Sequence, residues 1–170
     1  MEISDVLARM VKTGRLGPVF VGADWHDVTE ALGEPWLMLT GRRKWRWPRL
    51  YGHGDLEMSV CRCGKVSLVS LQTGREVVQL SPALTGGTGT FPAGPGYADV
   101  VAALDRADCP WEPYASLTTF ADQCTLVATP SGAHLTFEIP EGEEPVLNCV
   151  DLLGDGHVCP QPDAGQSGAA

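Results

Sequence analysis

Three sets of side chains in this sequence have the types and spacing that chemistry uses. Cys61-x-Cys63 and His157-x-Cys159 offer three thiolates and an imidazole, the donor types of a tetrahedral zinc site. Their spacing is not that of a zinc knuckle, and His157 and Cys159 fall in a C-terminal stretch with little to bury. The expectation is therefore a chain without stoichiometric metal or other cofactor, a zinc-dependent regulator being a third reading. His53, Asp55 and Glu57 sit where a strand begins, a place from which catalytic groups often project. A nucleophile needs an oriented base within reach, and neither these residues nor His26 or His134 come with a Gly-x-Ser-x-Gly or Cys/His signature. His53 reads as a solvated turn histidine, and the chain as a binding protein rather than an enzyme.

The third set is Arg42, Arg43, Trp45, Arg46 and Trp47. With Lys44 and Arg49 this window holds five of the twelve basic residues. Single-strand nucleic-acid binders interleave bases and aromatics in this way. The whole chain, however, carries a net charge of −9, and −14 without the window, a field that repels nucleic acid and attracts basic proteins. The window is expected to pair with the protein's own acids or to meet another protein, since Trp and Arg are over-represented at interfaces. Gly86-Gly87-Thr88-Gly89 lacks a following Gly-Lys-Ser/Thr, and seven residues separate it from the next helix, so it reads as linker rather than phosphate loop.

The elements that must position these residues follow from periodicity. Ile3, Val6, Leu7, Met10 and Val11 make one apolar stripe, which predicts a helix over 3–13 ended by Gly14. Asp24 caps a second helix over 25–32, and Tyr97, Val100, Val101 and Leu104 predict a third over 97–107. Leu56, Met58 and Val60 alternate with polar residues, Cys63-Gly64 turns the chain, and 66–71 returns as a hairpin. Further strands are expected at 76–80, 123–129, 133–139 and 146–152. The segments 36–50 and around 110–113 read as irregular, 81–96 as a Gly/Pro-rich linker, and 156–170 as a disordered tail. The fold class is α+β: one domain, 1–155, of two helix-plus-β-hairpin repeats (24–80 and 97–152) around an antiparallel sheet. The helices superpose at an offset of 72 (Trp25 on Tyr97, Val28 on Val100, Leu32 on Leu104) and the hairpins at 68 (Met58 on Leu126, Gly64 on Gly132), while 69 fits the return strand as well (Val66 on Leu135, Leu68 on Phe137) and leaves its register open. One helix on one hairpin is too small to be stable, whereas two such units can share a core.

Leu32-Gly33-Glu34-Pro35 followed by Tyr51-Gly-His-Gly-Asp55-Leu-Glu57 resembles small uncharacterised bacterial α+β proteins with an LGxP turn and a YGDLE-like strand, some of them immunity proteins of toxin systems. The resemblance covers 27–71, with His53-Gly54 added to the usual spacing. It implies an architecture and no catalytic residue. The leading expectation is thus a cytoplasmic protein-binding module, most concretely one that neutralises a basic toxin; the alternative is a small enzyme or ligand-binding protein with a site between the repeats. No stretch approaches a membrane span, acids occupy the N-terminus where a secretory signal would be basic, and the six cysteines are expected as free thiols.

Overall fold

The computed structural model of the chain describes residues 2–39, 47–87, 89–92, 94–114, 122–154 and 159. Helix α1 (Ile3–Thr13) buries its predicted stripe, is opened by reciprocal capping between Glu2 and Asp5, and closes on Gly14 in the left-handed conformation. A small ribbon, β1 (Arg15–Leu16) and β2 (Val19–Phe20), leads to α2 (Trp25–Leu32). The Asp24 carboxylate caps α2 by accepting the His26 N–H at 3.0 Å. Four strands follow: β3 (Trp36–Leu39), β4 (Arg49–His53), β5 (Leu56–Val60) and β6 (Val66–Gln72). Next come β7 (Val77–Gln79), α3 (Pro82–Thr85), β8 (Thr90–Pro92) and α4 (Tyr97–Arg106). The last four strands are β9 (Trp111–Pro113), β10 (Gln123–Ala128), β11 (Ala133–Glu138) and β12 (Val146–Leu153).

Eight strands form one antiparallel sheet in the order β3-β4-β5-β6-β12-β11-β10-β9, so the protein is α+β. Alternation decides which face is packed: Leu56, Met58 and Val60, Leu135 and Phe137, and Val150 and Leu152 are all buried in one core with the helices. The first residue of α2, Trp25, stacks on Tyr51 of β4 at 4.4 Å, and the first residue of α4, Tyr97, meets Phe137 of β11 at 5.2 Å. α1 lies against α4, where Arg106 pairs with Asp5 at 3.1 Å and the Lys12 ammonium donates to the Ala107 carbonyl at 2.6 Å.

The structure corrects three segment readings. The stretch 81–96, expected as linker, carries α3 and β8 and buries Leu84 and Phe91; β8 pairs with β7. The segments expected as irregular hold β3, β4 and β9. β3 and β9 are the edges of the sheet, where Pro113 costs no ladder bond and no alternation is imposed, so neither advertises itself by pattern. Among the described residues no helix is long and apolar enough to cross a membrane.

Candidate functional site

On the face opposite the core, strand register lines up one row of residues across the sheet: Trp36, Gly52, Glu57, Ser70, Asp151, His134, Val127 and Glu112. Its centre is the pair of Ser70 and Asp151, whose side chains meet at 2.5 Å with the serine hydroxyl donating. Gln72 Nε2 donates in turn to Ser70 Oγ at 2.9 Å, and Cys149 Sγ approaches the other Asp151 oxygen at 3.6 Å. Burial, then the Asp151 charge, pushes the Cys149 thiol up to about 12, so it stays protonated and a donor. Burial also raises Glu57, with Arg75 opposing and Asp55 and Asp151 reinforcing. The Ser70 hydroxyl is thus held between two partners, donating to Asp151 and accepting from Gln72.

This face also carries apolar surface. At one edge the exposed Trp36 ring lies over Gly52, where a Cβ would stand 2.8 Å from it, so only glycine lets the indole settle there. In the middle of the sheet, where β12 ends, Leu153 is exposed, and a cavity of about 770 Å3 opens between residues 20–22, the β10–β11 turn and Gly154, with His134 in its wall. His134 is also stacked on Tyr114 at 4.9 Å. Nothing local marks Trp36, because an edge strand imposes no alternation.

The trio His53, Asp55 and Glu57 is divided by the fold. Gly54 turns the chain at φ +64, and a Cβ there would lie 2.3 Å from the Gln79 carbonyl oxygen. Asp55 is buried and fully used: its carboxylate accepts the Gln79 N–H at 2.7 Å and faces Arg75 at 3.3 Å. It therefore ties the β4–β5 turn to β7. His53 is buried as well, contrary to a solvated turn residue, and its Nε2 has no hydrogen-bond partner among the described residues. Burial lowers its pKa, and it borders a cavity of about 390 Å3 with Gln79, Leu80, Pro82 and Gly89. Glu57 points to the open face instead.

Three of the four candidate metal ligands lie together. Cys61 and Cys63 face one another across the β5–β6 turn at 2.9 Å, and Cys159 reaches Cys63 at 3.8 Å. His157 lies outside the described residues. Burial opposes ionisation of Cys61, but hydrogen bonds to its sulfur from Cys63 and the Lys65 amide outweigh it and hold this thiol below its ordinary range. Cys63, which shares that hydrogen bond with Cys61, is pushed up to about 11.

Of the Arg/Trp window, Arg42, Arg43, Lys44, Trp45 and Arg46 lie outside the described residues. Trp47 is half-buried and packs against the core, with the Arg49 guanidinium 4.5 Å from its ring centre. No protein-family model, curated protein or solved structure matches the chain.

Proposed function

We propose that this chain is a protein-binding module that receives a basic partner protein on the open face of its sheet, with neutralisation of a basic toxin as the most concrete form. One observation carries the reading: that face presents Glu57, Asp151, Glu138 and Glu112, and no Lys or Arg among its described strand residues. Such a field steers a cationic surface toward it and suppresses acidic partners. Trp36 at the β3 edge supplies an aromatic anchor of the kind that dominates binding energy, and Leu153 of the central strand β12 adds exposed apolar surface.

The proposal includes an internal duplication, in which a helix and four strands occur twice and the two copies meet at β6 and β12. Its support is a set of matching hydrogen bonds. Trp25 N–H to Gly64 (2.8 Å) and Val66 N–H to Ala23 (3.0 Å) correspond to Tyr97 N–H to Pro145 (2.9 Å) and Leu147 N–H to Pro95 (3.1 Å). The helix side keeps the offset of 72, whereas the strand side runs at 81 rather than 68, so that β5–β6 answers to β11–β12 and not to β10–β11. At that offset the pairs Leu71–Val150 and Val69–Leu152 exchange, and Ser70–Asp151 falls on the axis. Both copies then contribute to one binding face.

The alternative, a small enzyme or ligand-binding protein, rests on the buried His53 Nε2 beside its cavity. Asp55, two residues along the chain, is already committed to Gln79 and Arg75. The test of the leading reading is native capture from the host followed by expression of the captured protein. A partner of basic isoelectric point that arrests growth alone, and no longer does so with this chain, is the expected result. Capture of acidic partners alone, or of none, refutes it.

A further inference from the structure

We propose that Cys61, Cys63 and Cys159 form a zinc site that clips the segment after β12 onto the β5–β6 turn. This inference is independent of the open sheet face.

The first support is geometric. The three sulfurs all lie within 4.8 Å of one another although Cys159 is far away in sequence. Zinc–sulfur bonds of about 2.3 Å in a tetrahedron place ligand sulfurs about 3.8 Å apart. The Cys159–Cys63 separation of 3.8 Å already has that value. Cys61 and Cys63, at 2.9 Å, need to open by a side-chain rotation of roughly 1 Å to share the ion.

The second support is the turn itself. Cys61 N–H donates to the Lys65 carbonyl at 2.8 Å, and Gly64 N–H returns to the Cys61 carbonyl at 3.0 Å, which fixes both cysteines on one side of a tight loop. Zinc with three thiolates carries a net charge of −1, and Arg62 lies between the two turn cysteines, with Lys65 just after them. The fourth coordination position is left to a ligand from outside the thiol group. Zinc here joins three stretches of chain, because the turn also holds residues 22–25 through Gly22 N–H to Val66 and Trp25 N–H to Gly64. Its consequence is attachment of Cys159 to the β5–β6 turn.

The experiment uses the full chain, reduced and purified, with zinc content by elemental analysis and affinity by competition against a chromophoric chelator. Cobalt substitution adds a readout of thiolate number through the thiolate-to-cobalt charge-transfer band. One zinc per chain is expected. Cys63→Ser and Cys159→Ser should each weaken zinc at least tenfold and diminish the cobalt band, while Cys124→Ser, at a thiol on another strand, should leave both unchanged. Cys63 is exposed, so its serine variant tests the site without disturbing the core. A folded, reduced protein that binds no zinc overturns the proposal. So does equal weakening by Cys124→Ser, or a Cys61–Cys63 disulfide that forms in place of metal binding.

Discussion

Two turns occupy corresponding places, one before each of the central strands β6 and β12, and each braces the start of a helix. At the first, Asp24 precedes α2, caps it with its own carboxylate, and pairs with Lys65 of the turn at 3.2 Å. At the second, the residue before α4 is Gly96, which has no side chain to cap with. The turn itself supplies the carboxylate, and Glu144 Oε1 accepts the Ala98 N–H at 2.8 Å. Both helices thus begin on a negative charge, as their dipoles favour, but it comes from opposite partners. Once the brace is secured, the remaining turn residues are free to differ. The first turn carries Cys61-Arg62-Cys63, the second the acids Glu141 and Glu143. Under the proposed duplication, both turns keep the brace and diverge in the rest.

The largest expected effect tests the aromatic contacts under the two helices. Phe137→Ala should cost about 3–5 kcal/mol in chemical denaturation, since Phe137 is completely buried. Tyr51→Ala should cost less, because Tyr51 keeps part of its surface in water. Equal losses would break the distinction between the halves. Trp47→Ala is expected next, at roughly 1–3 kcal/mol, from its packing against the core and the lost contact with Arg49. No change in its melting temperature would return that residue to the partner-binding role expected from sequence.

Smaller again are the braces. Asp24→Ala removes a cap and an ion pair, whereas Glu144→Ala removes one hydrogen bond, so amide exchange should accelerate more in α2 than in α4. Asp24→Asn keeps the cap and should recover most of the protection. A reversed order would mean that the two turns do not play matching parts.

The smallest effect is a pH slope. Burial holds the folded His53 below its ordinary pKa of 6.5, so the unfolded chain takes up a proton first. Stability should therefore be fully present above pH 6.5 and fall as pH drops through that value toward the folded pKa. His53→Gln should flatten this part of the profile measured by urea midpoints. An unchanged slope in the variant would assign it to another group.

Much of the scaffold was legible in sequence because α1, α2 and α4 each carry an apolar stripe and β5 and β11 alternate. Ile3 to Val11, Asp24, and Leu56 to Val60 mark their elements by themselves. The edges were not, since Trp36–Leu39 and Trp111–Pro113 pair on one side only and need no pattern. The candidate face was invisible for a related reason. Glu57, Ser70, Asp151 and His134 are ordinary polar positions in four separate strands, and only register places them side by side. The thiol group was half-legible: Cys61 and Cys63 are neighbours in sequence, but nothing local tells where Cys159 goes.

The claim that the open face receives a basic partner is tested most directly by one affinity comparison with the natively captured partner. The variant Glu57→Gln/Glu138→Gln/Asp151→Asn removes charge from the face, while Glu141→Gln/Glu143→Gln removes it from the β11–β12 turn. The account predicts at least tenfold weaker binding by the first, with its salt dependence reduced, and affinity close to wild type for the second. Equal affinities for the wild type and the open-face variant, with both folded, would contradict it.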